Sequence, residues 1–245
     1  TMSGHNKWSK VKHIKGPADA KRAKIFSKLS REIFVAVKEG ASDDPDMNPR
    51  LRMVLLKGRQ ANMPLDNVQR AIQKATGEGG ATSYQDLTYE IYGPHGVAIL
   101  AEISSDNKNR TAAEIRHILS KNGGSIASAG AVTRLFHRKG QIMIARDSVD
   151  EENIMEIALE AGAEDFHAEP EGYEIITEPN VFEDVFKKIE AANVLTETAG
   201  ITCLPELMSP VPHEAMESIQ KLIDTLEDHD DVKDIYTNAE FQDEA

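Results

Sequence analysis

Lysines 7, 10, 12 and 15 flank the single tryptophan, Trp8, in the stretch Gly4-His5-Asn6-Lys7-Trp8-Ser9-Lys10-Val11-Lys12-His13-Ile14-Lys15. Ammonium groups at that spacing neutralise phosphates and release counterions, while an indole face stacks on an unpaired base. The competing reading is a solvated charged terminus with Trp8 pinned to the body of the protein. Binding is preferred because cations continue downstream at Lys21, Arg22, Lys24, Lys28 and Arg31, extending the patch. The first 40 residues hold ten Lys or Arg against three acids, a net of +7. The chain as a whole carries −13, so residues 41–245 carry −20. Local charge sets the field that a phosphate meets, so this basic end points to a polyanionic partner. The acidic remainder restricts where that partner lands.

No other constellation competes as chemistry. The histidines are scattered, with no His-Glu-x-x-His helix and no glycine-rich phosphate loop. His229-Asp230-Asp231 reads as an acidic helix end rather than a metal cluster. Ser104-Ser105-Asp106-Asn107 has no His or Lys spaced as a nucleophile's partner, and is expected to shape a strand-to-helix turn. Cys203 is the only cysteine, which rules out a disulfide within the chain and argues against a Cys-based zinc site. It reads as a small apolar residue in a reducing cytoplasm. No stretch approaches the roughly 20 apolar residues of a membrane span, and no secretory signal is expected. The expectation is a cytoplasmic, non-enzymatic protein without metal, cofactor, membrane or small-molecule partner. Nothing resembles a coiled coil or obligate dimer face, so a monomer is expected.

The elements that must position the basic residues follow from periodicity. From about Asp19 to Lys38 the pattern is helical: Ile25, Phe26, Leu29, Ile33, Ala36 and Val37 share one side. Lys21, Lys24, Lys28 and Arg31 gather within about 80° on nearly the opposite side, as a stripe facing solvent. Gly40 stops this helix. A second runs from Pro49 to Ala61 with Leu51, Val54 and Leu55 inward. A third follows Asn62-Met63-Pro64, with Asn62 as cap and Pro64 in the first turn. These last two could form a helix-turn-helix with Asn67, Gln69, Arg70 and Lys74 toward a groove, but any three-helix bundle gives that spacing.

Beyond the Gly77-Glu78-Gly79-Gly80 hinge the period becomes that of strands. Leu87–Tyr92 and Val97–Ser104 flank a hairpin signal, Gly93-Pro94-His95-Gly96. A helix fits Thr111–Lys121 and a strand fits Val132–His137. From Gln141 to Leu204 the order is β-α-β-β-α-β, the split βαβ sandwich. The last helix and strand cannot bury a core alone, so they must complete the β-β-α-β begun at residue 87. The fold class is therefore α+β in three domains: a basic arm and three-helix domain at 1–80, a discontinuous α/β domain at 81–138 and 209–245, and a ferredoxin-like α/β domain inserted at 139–208.

Several pieces at regular intervals carry a family resemblance: Gly4-His5-Asn6-Lys7-Trp8, Asp19-Ala20-Lys21-Arg22, Lys24-Ile25-Phe26-Ser27-Lys28-Leu29, Asn62-Met63-Pro64, Tyr89-Glu90 with Tyr92-Gly93-Pro94, Asn109-Arg110-Thr111-Ala112, and Lys121-Asn122-Gly123-Gly124. The chain resembles the YebC/PmpR family, which has a mitochondrial relative that activates translation of cytochrome c oxidase subunit I. Ile14, Ala23, Ile91 and His95 depart from the usual pattern, the last three replacing glycines. The resemblance implies the same three-domain fold and a nucleic-acid-binding regulator. Many members are labelled probable DNA-binding transcriptional regulators, while others act in translation, on ribosomes stalled at proline-rich stretches. Promoter DNA is thus the first expected partner and ribosomal RNA the alternative. An adaptor that binds proteins through the acidic domains is the third.

Overall fold

The structure, a computed structural model, describes residues 7, 8, 10, 11, 19–77 and 82–241. Three helices form the first domain: α1 (Asp19–Gly40), α2 (Pro49–Gln60) and α3 (Leu65–Thr76). Leu29, Ile33, Ala36 and Val37 of α1 are buried with Leu51 and Val54 of α2 and Ala71 and Ala75 of α3. The apolar side of the α1 wheel is thus the core face. Asn48 joins the first two helices. Its Oδ1 accepts from Leu51 N (3.1 Å), and its Nδ2 donates to Ala36 O (2.8 Å) and Ser42 O (2.9 Å). The expected cap of α3 is different: Asn62 sits in the left-handed region (φ 55°) and Pro64 takes the cap position. A short polar side chain tolerates that turn conformation better than most.

The second domain is a sheet of β1 (Gln85–Tyr92), β2 (Ala98–Ser105), β3 (Ser125–Ile126) and β9 (Val232–Thr237), in the order β3-β1-β2-β9. Helices α4 (Lys108–Lys121) and α7 (His213–Asp228) cover one face through Ile115, Leu119, Ile219, Leu222 and Leu226 against Ile91, Ile99 and Ile103. On the other face Ala98 and Leu100 meet Val132, Phe136 and Cys203. Because β2 is covered on both sides, its first four residues, Ala98 to Ala101, run apolar without alternation. The turn at Ser105–Asn107 does what its polar residues suggested: Asn107 caps α4 through Arg110 N (3.1 Å), and Ser105 Oγ accepts from Asn107 N (2.9 Å).

The other sheet contains β4 (Phe136–Ala145), β5 (Asp165–Ala168), β6 (Gly172–Thr177) and β7 (Thr198–Pro205), packed with α5 (Glu151–Ala161) and α6 (Phe182–Ala191). Its order, β5-β6-β4-β7, is that of the split βαβ sandwich. The architecture is α+β, as the element count implied. One detail differs. The strands expected at Val132–His137 and Gln141–Ala145 are a single strand, β4, whose pairing with β7 begins at Phe136. The inserted sheet therefore starts at Phe136 rather than Lys139. Gly140 looks like a break in the sequence, but a Cβ there would overlap Thr177 Oγ1 and the Phe182 ring. Its role is close approach. After β7 the chain pairs β8 (Ser209–Pro210) with β10 (Ala239–Glu240) and returns through α7 to β9 beside β2.

The β1–β2 hairpin tests one departure from the family pattern. His95 is exposed and held at φ 57°, where a residue with a Cβ is strained by about 1–2 kcal/mol. Glycine would remove that strain but lose about 0.5–1 kcal/mol to chain entropy. His95→Gly is therefore expected to stabilise the protein by about 0.5–1 kcal/mol. A lower thermal midpoint would show that the imidazole makes compensating contacts.

Candidate nucleic-acid interface

Lys21, Lys24, Lys28 and Arg31 do lie along one face of α1, but most of that face is covered by the chain's own acids. Lys24 Nζ pairs with Asp228 (2.9 Å) and approaches Asp230 (3.6 Å). Lys28 Nζ donates to the Glu227 carbonyl (2.5 Å), one of the unpaired acceptors at the negative end of α7. Arg31 Nη1 donates to Asp231 Oδ1 (2.6 Å), to Ser104 O (3.1 Å) and to Asp230 O (3.3 Å), with Tyr84 under its guanidinium at 5.1 Å. The expected solvent-facing stripe is thus corrected. Lys21 and Arg22 are exposed, and Arg22 pairs within its own helix with Asp19 (3.4 Å). Opposite charges far apart in sequence have found each other across the domain boundary.

Asp231 anchors this contact. It is buried, and besides Arg31 its carboxylate accepts from Arg110 Nη2 (3.0 Å) and Thr111 Oγ1 (2.7 Å). Burial disfavours its charge, but the hydrogen bonds from Thr111, Arg31 and Arg110 outweigh burial and hold the carboxyl below its usual range. The hydrogen bond from Lys24 likewise holds Asp228 below that range. Lys28 behaves oppositely: burial, with the nearby Lys24 charge, pushes its ammonium down to about 8. Arg110 and Thr111, in the stretch Asn109-Arg110-Thr111-Ala112, lie outside the basic N-terminal sequence and carry no charge-patch signal of their own.

A cleft of about 740 Å³ beside this contact is lined by Arg110, Glu114, His117, Asp228, His229 and Asp230, among others. Glu114, His229 and Asp231 bring one ligand atom each within 4.8 Å of one another. Their hydrogen bonds already account for them. His229 Nδ1 accepts from Asp231 N (3.1 Å), so the ring proton sits on Nε2 and is donated to Glu114 (2.8 Å). With Asp231 saturated as well, the group is a polar network at the helix end.

The described residues before α1 are also docked. Lys7, Trp8, Lys10 and Val11 are helical, and Trp8 is only 5% exposed, packed with Val11 and Met143 and lying over Gly172. Its Nε1 donates to Glu169 Oε2 (2.7 Å). Lys7 Nζ pairs with Glu169 (2.6 Å) and Glu174 (2.7 Å), and Lys10 Nζ donates to Ile235 O (3.0 Å) on β9. The expectation of an indole face open to a base is therefore corrected: Trp8 is buried, and the described residues Lys7, Trp8 and Lys10 link the inserted sheet to β9 of the second domain. Lys12 and Lys15 lie outside the described residues. In α3, Gln69, Arg70 and Lys74 are exposed, but Arg70 is engaged by Asp66 O (3.1 Å) and Asn67 Oδ1 (2.5 Å).

A basic helical domain docked on two interleaved α/β sandwiches defines a three-domain class in which acidic lobes partly cover a cationic helix. Residues 6–78 match the family described as the TACO1/YebC protein N-terminal domain, and residues 84–239 match its second and third domain. The chain belongs to the TACO1/YebC family. It is 50% identical over 244 residues to a probable transcriptional regulatory protein of Desulfatibacillum aliphaticivorans, covering 100% of this chain and 98% of that one. A protein of the same description from Carboxydothermus hydrogenoformans is 47% identical over 245 residues, covering 99% and 100%. The crystal structure of a conserved hypothetical protein from Aquifex aeolicus superposes with a TM-score of 0.81 at 40% identity, covering 92% of this chain and 93% of that one.

Two outcomes check these contacts. Trp8→Ala is expected to lower the unfolding free energy by about 3 kcal/mol, the cost of emptying a buried aromatic site. An unchanged denaturation midpoint would mean that the indole sits elsewhere. For Lys28, the folded value lies below the unfolded one, so the folded state loses its proton first and stability rises with pH from about 8 to the unfolded value. Thermal unfolding of the Lys28→Met variant is expected to lack that increment; identical pH profiles would refute the burial of Lys28.

Proposed function

We propose that this chain is a cytoplasmic, non-enzymatic regulatory protein that binds nucleic acid through the basic start of α1 and the N-terminal sequence leading into it. One observation carries the reading: Lys21 and Arg22 are exposed at the head of α1, Arg22 beside Asp19 of its own first turn, whereas Lys24 and Arg31 further along are drawn onto carboxylates of the second domain. Lys12 and Lys15 adjoin them in sequence, so positive charge is dense along the chain at this end. The relatives named probable transcriptional regulatory proteins support DNA as the partner. No helix among the described residues is long and apolar enough to cross a membrane.

A second reading, structured RNA on a ribosome, is favoured by the state of α3. Base-edge recognition needs free, preorganised donors, and Arg70 is tied to its own helix. Contacts to a phosphate backbone alone position a protein without reading sequence. The two partners share the same basic surface and differ in what competes for it.

The joint variant Lys21→Glu with Arg22→Glu is expected to weaken oligonucleotide binding at least tenfold. The plot of log affinity against log salt should become shallower by about 2, near one unit per lost phosphate contact. Unchanged affinity with an intact fold would remove α1 from the interface. Co-sedimentation with ribosomes in the presence of excess promoter-length DNA separates the partners: displacement by one DNA sequence supports transcription, and retention supports translation.

A further inference from the structure

The segment that covers α1 meets its cations with carboxylate and carbonyl oxygens, anionic or partly anionic groups as the oxygens of a phosphate are. Residues 227–231 offer the Glu227 and Asp230 carbonyls and the Asp228, Asp230 and Asp231 carboxylates to Lys24, Lys28 and Arg31. The contact is uneven along its length. At one end Asp231 is buried and holds three donors, the kind of charged pairing that is costly to break. At the other end Asp228 and Asp230 have side chains 75% and 76% exposed and share a single lysine, the kind that exchanges at little cost. Lys28 is the poorest match. It is desolvated, yet its hydrogen-bond partner is a neutral carbonyl, whereas an anionic oxygen would form a stronger charge-assisted bond.

We infer that residues 227–230 are an internal competitor for the nucleic-acid face, a strap that occupies Lys24 and Lys28 in the free protein and yields them to phosphates in the complex. The inference rests on the reading of α1 as the binding surface and adds how that surface is regulated. Asp231 acts as the pivot, since its bonds to Arg31, Arg110 and Thr111 persist while the turn before it moves. Binding then begins at Lys21 and Arg22, which are already exposed, and spreads along the helix as each carboxylate is replaced. A weak or sparse polyanion engages only the first two residues. A dense one opens the strap, so the acidic segment acts as a threshold against indiscriminate binding.

The test compares the full-length protein with Asp228→Asn/Asp230→Asn, using a 20-base-pair DNA duplex and an RNA hairpin of matched charge as probes. Glu152→Gln/Glu156→Gln, at two exposed positions of α5, controls for the general gain from removing negative charge. The strap variant is expected to bind about three- to tenfold more tightly than the control, the scale of two exposed ion pairs. Hydrogen exchange supplies a readout on the unaltered protein. At saturating probe the His229 amide, bonded to Leu226 O in the free state, should lose protection, while the Ser104 amide, bonded to Asp231 O at the pivot, keeps its own. If wild type binds but the strap variant matches the control, or if His229 stays protected at saturation, the strap is not a competitor and this inference fails alone. If neither probe binds any of the proteins, the reading of α1 fails and takes the inference with it.

Discussion

A carboxylate withdrawn from water has to be matched by donors, and in this fold that requirement falls on Asp231. Its partners come from three separate elements: Arg31 from α1, and Thr111 and Arg110 from the first turn of α4, while its own carbonyl accepts from Ser104 N at the end of β2. The helical domain, the strand-to-helix turn and the return of the chain into the first sheet are thereby registered on one side chain. Lys57 repeats the logic nearby with Glu32 of α1 (3.0 Å) and Asp234 of β9 (3.0 Å). Together these contacts set where α1 sits and which of its cations remain outside.

The same charges explain why the elements were readable from sequence and their mutual contacts were not. Periodicity is local, so the α1 core face, the β-α-β-β-α-β order and the return of the last strand could be read from neighbouring residues. Pairing is not local. Nothing near Lys24 or Arg31 announces an acid some 200 positions away, and a helical wheel assigns every charged face to solvent by default. Trp8 is a similar case, because its environment is built from Met143, Glu169 and Gly172. At Gly140 and Asn62 the local signal itself was ambiguous: the same residue type serves a turn, a close approach or a cap.

For the candidate site, charge contrast picked out the basic end of the chain, and less of that charge is accessible than a helical wheel implies. Lys21 and Arg22 are exposed, while Lys24, Lys28 and Arg31 are held by acids and carbonyls of the second domain. An acidic body beside a basic helix does more than repel stray polyanions. It neutralises the helix internally, which changes both the field at the surface and the energetic cost of using each cation. Family membership gives regulation as the setting, and the pairing pattern gives the physical terms on which a polyanion would engage.

The separation of Arg31 from Asp231 along the chain has a further consequence during synthesis. The carboxylates that meet Lys24 and Arg31 lie within 228–231. At roughly 5–20 residues per second, α1 therefore emerges on the order of ten seconds or more before its acidic partners exist. Through that interval Lys24 and Arg31 lack their carboxylate partners beside the RNA-rich surface of the ribosome that is making the chain. On the binding reading proposed above, the growing chain would offer a polyanion more of α1 than the folded protein does, until residues 228–231 arrive to occupy Lys24 and Arg31.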